Sequence, residues 1–255
     1  IFSSYAESFF AGESGTVDPE FLENYSSIAE LRENELRCAA AELGLASVTM
    51  GGYRDSGMPG TPDNEHPDAL INQPVEQVAA RITHHIRELR PQVIVTHDPI
   101  GGYRHPDHIA VHKAAVHAFH TAGDPHAYPD EALPPYQPQK LYYQTIPKGW
   151  LRFIVNLWRL FGRDPSKFGR NQDIDLVTLV EDGDFPIHVR INVRSSLKTR
   201  DAASACHASQ LAGGPPNRGF ISLLLRFFAA NDNFTRAYPE APPNLREGDL
   251  FEGVV

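Results

Sequence analysis

The sequence predicts an α/β fold, a Rossmann-like and largely parallel sheet flanked by helices, with the active site at the C-terminal edges of the strands. Amphipathic stretches alternate with short apolar runs along the chain, the order that builds a parallel sheet with helical crossovers. One run, residues 93–96 (Val-Ile-Val-Thr), is apolar throughout, as in strands covered on both faces. A glycine-bearing, histidine-rich loop follows it directly, at the sheet edge where ligands usually bind in this class.

Residues 18–43 read as a helix. Asp18 suits a cap, Pro19 a first helical position, and Leu22, Ile28, Leu31, Leu36 and Ala40 recur near helical spacing before Gly44 stops the run. Residues 46–50 form a short β-type segment ending at Gly51 and Gly52. Residues 53–73 carry Gly57, Pro59, Gly60, Pro62 and Pro67, a long loop of the kind that is often functional. Val75, Val78, Ile82, Ile86 and Leu89 then lie on one stripe of a second helix.

After strand 93–96 and its loop, a helix is expected from about His105 to Phe119, then a proline-rich loop over 121–139. Strands are expected at 141–143 and 187–193, and a helix at 197–210. Two apolar stretches, 150–161 and 220–228, are too short to span a bilayer and read first as packed or oligomer-facing helices. They leave self-association as a homo-oligomer open. No repeat or low-complexity tract divides the 255 residues, so one domain over 1–255 is expected.

Hydrophobic content of 41% and charged content of 22% suit a globular core. A net charge of −9, with no basic cluster, argues against a nucleic-acid surface. Cys38 and Cys206 are far apart in sequence and form neither a disulfide framework nor a CxxC knuckle, so a reducing cytoplasm is the simpler expectation. The opening residues carry no signal-peptide pattern, and no integral membrane segment is expected.

Six of the twelve histidines fall between His97 and His120. Imidazole serves metal ligation and proton transfer near neutral pH. His105, Pro106, Asp107 and His108 stand where a helix begins, with His112 one turn on, so three imidazoles issue from neighbouring positions of one face. A lone histidine there would read as solvated. Four such residues after a strand and a Gly-Gly turn read as a site. Asp107 can orient an imidazole through its second N–H. A helix N-terminus disfavours an imidazolium at His105 unless an acid such as Asp107 supports the charge.

At Asp98-Pro-Ile-Gly-Gly-Tyr-Arg-His-Pro-Asp-His108 the chain resembles the zinc-dependent PIG-L/LmbE-like de-N-acetylase superfamily. The stretch Gly52-Tyr-Arg-Asp-Ser-Gly-Met58, continued by Gly60-Thr-Pro62, is similar to that family's substrate loop. Cys206-His-Ala-Ser-Gln210 is similar to its late His-x-Ser-Gln segment. The resemblance implies that His108 ligates Zn2+, His105 stabilises or protonates the oxyanion, and Asp107 supports His105. It further implies that Tyr103 approaches the reacting carbonyl, Asp55 bonds sugar hydroxyls, and Arg54 and Met58 line the pocket. The implied activity is removal of acetyl from an N-acetylglucosamine-containing small molecule or glycoconjugate, in which a metal activates water and a cationic donor receives the developing charge.

The family's first signature, His-Pro-Asp-Asp-Glu, is absent, and with it two further metal ligands and the general base. Glu7-Ser-Phe-Phe-Ala-Gly12 looks like the tail of that signature and Glu13-Ser-Gly-Thr16 like a later segment. The N-terminal part is therefore expected to be incomplete, with stretches of the native chain omitted. Catalytic zinc takes three protein ligands as a rule, so His108 alone does not hold it. His112, at helical zinc-pair spacing from His108, is the stronger internal substitute, and His66-Pro67-Asp68 in the long loop is the weaker. Competing expectations are an amidase of a thiol-sugar conjugate and a catalytically inert sugar-binding homologue. A dinucleotide enzyme is disfavoured, since no GxGxxG follows a strand.

Overall fold

The structure is a computed structural model of the chain and describes residues 4–10, 12–14, 16–168, 172, 174–182, 184–210 and 230–255. The expected apolar helix at 220–228 lies outside the described residues. In chain order the elements are β1 (Tyr5–Phe10), α1 (Ile28–Leu43), β2 (Ser47–Tyr53), α2 (Val75–Leu89), β3 (Val93–His97), α3 (Gly101–Arg104) and α4 (Pro106–Thr121). They continue with β4 (Lys140–Gln144), α5 (Lys148–Leu160), α6 (Leu176–Glu181), β5 (Val189–Asn192), α7 (Leu197–Cys206) and β6 (Asn231–Tyr238). The chain forms two compact units, one of residues 1–72 with 192–231 and one of residues 73–191 with 232–255.

In the first unit β1 and β2 pair in parallel, from Tyr5 opposite Ser47 to Phe10 opposite Tyr53. The helix expected over 18–43 is two elements. Pro19 opens a 3-10 turn that ends at Leu22, and α1 begins afresh at Ile28. The break comes from Ser27, whose side chain caps α1 by accepting the Glu30 N–H at 3.1 Å, while Glu30 reaches back to the Ser26 N–H at 2.8 Å. Gly44 ends α1 in the left-handed conformation, as its sequence position suggests. The loop after β2 holds two short 3-10 turns, Pro62–Glu65 and Leu70–Asn72. His66 is spent locally: its Nδ1 accepts the Asp68 N–H at 3.1 Å.

The unit is closed by α7 packing on α1. Cys38 and Cys206 form a disulfide with Cα atoms 5.7 Å apart. This corrects the expectation of two isolated thiols: a separation of 168 residues in sequence says nothing about neighbours in space once α7 lies on α1. Beyond α7, Ser209 donates its N–H and hydroxyl to the buried Glu35 carboxylate at 2.7 and 2.9 Å.

The second unit is built on a four-stranded sheet in the order β3-β4-β6-β5. β3 and β4 are parallel in the register Val93 to Lys140 through His97 to Gln144. β6, absent from the sequence expectations, is antiparallel to β4, so parallel pairing gives way on that side. Among the described residues β3 pairs in this sheet with β4 alone, and Val95 stands 45% exposed despite the apolar run. α2 and α4 pack together through buried Val78, Ile82, Ile86, Ala114, Ala118 and Phe119. α5 buries Ile154 and Val155 and leaves Leu160 and Phe161 exposed. Among the described residues no helix is long and apolar enough to cross a membrane.

A buried charge cluster supports the sheet. Lys140 Nζ donates to Glu247 Oε1 at 2.8 Å, Arg236 Nη1 to the same oxygen at 2.8 Å, and the Tyr142 hydroxyl to Oε2 at 2.8 Å. Burial alone would raise the Glu247 carboxyl; the hydrogen bonds from Lys140 and Tyr142 outweigh it and hold the group below its ordinary range. Removing one partner of such a pair strands the other in the interior. Glu247→Ala is therefore expected to cost about 3–5 kcal/mol in denaturant unfolding at pH 7. Because the folded carboxyl is the stronger acid, its contribution is full above the unfolded carboxyl's range and is lost as pH falls through the folded value. The gap between the two proteins should then narrow in acid.

Candidate active site

The second unit carries the site. β3 ends at His97, Asp98 follows, and the chain turns through Gly101 and Gly102 into α4. Asp98 is buried and its Oδ1 accepts the Gly102 N–H at 2.8 Å. Burial raises its carboxyl above the ordinary range, against the pull of the Gly102, Ile100 and Gly101 N–H groups. Gly101 and Gly102 both have positive φ, +67° and +70°. At Gly101 this is obligatory for a second reason: a Cβ there would sit 2.9 Å from the His108 Cβ and 3.0 Å from the Ile109 nitrogen.

That close approach aims the Gly101 carbonyl at His108, whose Nδ1 lies 3.1 Å from the oxygen. A carbonyl only accepts, so Nδ1 carries the proton, and in the neutral ring Nε2 is the acceptor nitrogen. Burial, with the neighbouring His97 and His105 rings, lowers the His108 pKa to about 3, the Gly101 carbonyl acting in the opposite sense. The ring is thus held in the form that ligates metals.

His105 is fixed the other way. It caps α4, its Nδ1 accepting the Asp107 N–H at 3.3 Å, which leaves the proton on Nε2 in the neutral ring. Protonating Nδ1 would exchange that bond for the Asp107 carboxylate, whose Oδ2 is 3.9 Å away. Asp107 itself is fully buried. Pro106 occupies the first helical position, where its missing N–H costs nothing.

Further rings complete the cluster. His97 stacks on His108 with centroids 4.0 Å apart and planes within 5°. Tyr103 meets His105 and His108 edge-on at 5.8 and 5.2 Å, and the His105 and His108 centroids are 4.8 Å apart. His112 donates from Nδ1 to the His97 carbonyl at 2.8 Å and packs edge-on against Tyr143. Burial lowers the pKa of both His97 and His112. Arg104 Nε donates to Asp182 Oδ2 at 2.7 Å, tying the loop to the residue after α6.

Residues 7–119 match the family described as PIG-L, GlcNAc-PI de-N-acetylase. A 1D-myo-inositol 2-acetamido-2-deoxy-alpha-D-glucopyranoside deacetylase of Streptomyces scabiei is 31% identical over 258 residues, covering 95% of this chain and 78% of its own. The chain belongs to the PIG-L family. A protein of the same description from Geodermatophilus obscurus is 33% identical over 87% of the chain and 74% of its own. The PIG-L fold is shared with the N,N'-diacetylchitobiose deacetylase of Pyrococcus horikoshii, with a TM-score of 0.60 and 15% identity over 95% of this chain and 76% of that one. It is shared also with the conserved protein TT1542 of Thermus thermophilus, with a TM-score of 0.56 and 19% identity over 96% and 86%.

Of the residues singled out in this PIG-L chain, Tyr103, His105, Asp107 and His108 are gathered on one loop and helix start. Asp55, Arg54 and Met58 belong to the other unit, at the end of β2. Asp55 is buried, its Oδ1 accepting the Gly57 N–H at 2.7 Å, its own N–H donating to Glu13 Oε1 at 3.2 Å, and its carbonyl accepting the Ser14 hydroxyl at 3.0 Å. Arg54 gives its guanidinium to Asp63 at 2.7 Å, within the same loop. The Met58 carbonyl holds the turn by accepting the Thr61 hydroxyl at 2.9 Å. His97 was not among the candidates, although a histidine closing an apolar strand ahead of a glycine turn is a signal for it.

Gly101→Ala tests the loop. It should cost about 1–3 kcal/mol in thermal or denaturant unfolding from the strained φ alone. It should also displace the His108 ring, read as shifted imidazole resonances, because His108 and the added methyl cannot occupy the same space. Gly102→Ala, where nothing lies within 4 Å of the added Cβ, should show the backbone cost with a smaller effect on the His108 resonances.

Proposed function

We propose that this chain is a metal-dependent N-deacetylase, a hydrolase that removes acetyl from an N-acetylglucosamine-containing small molecule. The observation carrying this reading is the opposed arrangement of two adjacent imidazoles. Nε2 of His108 is the acceptor nitrogen, and Nε2 of His105 is the donor. Amide hydrolysis needs both: a ligand for an electrophile and a donor for the developing oxyanion. The relatives' description as GlcNAc-inositol deacetylases supports the substrate class. The single-domain reading of the chain is part of the same proposal.

The donor set fits a divalent cation in chemistry, since a neutral imidazole with its tautomer fixed by a carbonyl is a standard zinc ligand. His108 would hold the ion, which we take to be Zn2+, with His112 a further candidate. Bound there, the ion would supply Lewis acidity toward the attacking water and the acetamide oxygen. His105 would place its Nε2–H toward the oxygen that becomes negative and pass a proton to the leaving amine, and Asp107 would steady the positive ring. Tyr103, edge-on to both rings, would limit water and orient the carbonyl. Asp55 is proposed for sugar hydroxyls, and Arg54 and Met58 as further substrate-binding residues.

One observation favours a second reading. Among the described residues His108 belongs to no group of three converging ligand atoms, and the sequence lacks His-Pro-Asp-Asp-Glu. That combination suits an inert sugar-binding homologue. A cytoplasmic setting was expected partly from isolated thiols, and the Cys38–Cys206 disulfide removes that support, because disulfides persist in oxidising compartments. Leu160 and Phe161, among the exposed apolar residues, are where a homo-oligomer would first be sought.

Metal content and turnover measured together separate the readings. His108→Ala should bind one zinc equivalent fewer than wild type and lose acetate release from an N-acetylglucosaminyl substrate. His105→Ala should keep zinc and lose at least about a hundredfold in rate. Asp55→Ala should act mainly on kcat/KM for the substrate. Zinc stoichiometry left unchanged by His108→Ala contradicts the ligand assignment; a wild-type chain that binds the sugar but releases no acetate with zinc supplied supports the inert module.

A further inference from the structure

A second cluster of imidazole and carboxylate lies in the second unit, on the exposed side of α2, and takes no part in the proposed deacetylation. His84, His85 and Glu88 offer ligand atoms that all lie within 4.8 Å of one another. His85 Nδ1 is 3.4 Å from Glu88 Oε2, and His84 Nε2 is 4.0 Å from the same oxygen. Ligand atoms around a tetrahedral zinc at bond lengths of about 2.0–2.1 Å stand roughly 3.3 Å apart, so one pair is already at that spacing and small rotations bring in the third.

What distinguishes this cluster from a solvated face is a fourth residue. Glu131, from the loop after α4, accepts at Oε2 from His84 Nδ1 at 2.9 Å and at Oε1 from the Leu133 N–H at 3.1 Å. Both carboxylate oxygens are engaged, so Glu131 fixes the ring and is no ligand itself. With its proton on Nδ1, His84 presents Nε2 toward Glu88. A carboxylate that orients a histidine through the nitrogen remote from the ion is the usual support of a metal ligand. The loop bearing Glu131 is in turn held by Arg87 of the same helix, which donates to the carbonyls of Ala122, Asp124 and Ala127 at 3.1, 2.9 and 3.1 Å.

We propose that His84 Nε2, His85 Nδ1 and Glu88 form a peripheral site for a zinc-class divalent cation, with Glu131 as its positioning carboxylate and a fourth position open to water. The ion would sit on the last turns of α2, with the loop of residues 122–133 supporting it through the His84–Glu131 hydrogen bond. Two imidazoles and one carboxylate suit zinc, nickel or copper and disfavour magnesium and calcium, which take oxygen ligands.

Equilibrium dialysis of the full chain against Zn2+ alone, with Co2+ absorption as a second probe, tests the site. His84→Ala/His85→Ala should bind one equivalent fewer than wild type, with unchanged circular dichroism and unchanged acetate release. His108→Ala should retain that equivalent, which separates this site from the one proposed for catalysis. Glu131→Gln should keep the stoichiometry and weaken the affinity about tenfold or more. Saturating zinc should raise the melting midpoint of His108→Ala and leave that of a His84→Ala/His85→Ala/His108→Ala triple variant unmoved. Equal zinc stoichiometry and affinity in wild type and the double variant would overturn the proposal, as would loss of the equivalent in His108→Ala.

Discussion

The hydrogen bond between His108 Nδ1 and the Gly101 carbonyl sets the character of the site. It selects the tautomer, directs Nε2 away from the backbone and exists only because residue 101 has no side chain. A Cβ there would occupy the space of His108 and Ile109. The turn is fixed in its own right by Asp98, which accepts the Gly102 N–H from a buried position. Aspartate, two glycines and histidine therefore form one device. His105 is set by a separate one, the α4 cap, and the two devices leave neighbouring rings with opposite hydrogen-bonding sense.

Burial works with this arrangement. Removing imidazoles from water disfavours their charged forms, and at His97 and His108 the neighbouring rings add to the effect. His97, His108 and His112 are all shifted toward neutrality, His108 furthest. A chain with twelve histidines could have dispersed them over its surface. Here four are stacked or packed at the end of one strand and the start of one helix, where the sheet edge and the helix terminus meet.

Much of this was legible in residue order. The apolar run ending at His97, the glycine pair and Pro106 place the loop and the first turn of α4 without reference to tertiary structure, and α2 follows its apolar stripe from Val75 to Leu89 to the residue. Local chemistry outside that stripe was harder to read. Ser26, Ser27 and Glu30 form a cap that outweighs the helical spacing of Leu22 and Ile28, and so split one expected helix into two elements. β6 was missed because Asn231, Asp232 and Asn233 carry little β propensity; the strand exists through pairing with β4 and the burial of Phe234 against Tyr142 and Val189. The Cys38–Cys206 bond was invisible for a related reason, since only the packing of α7 on α1 brings the two residues together. In the site, the roles of His105 and His108 could be assigned only once the partner of each Nδ1 was known.

The measurement bearing most directly on this account is the tautomer of His108 in the metal-free chain, read from long-range proton–nitrogen correlations of the imidazole ring at neutral pH. The account predicts a neutral ring protonated at Nδ1, with zinc perturbing the Nε2 resonance and leaving the Nδ1 proton in place. A His108 ring protonated at Nε2, or one whose Nδ1 proton is lost when zinc binds, would contradict it.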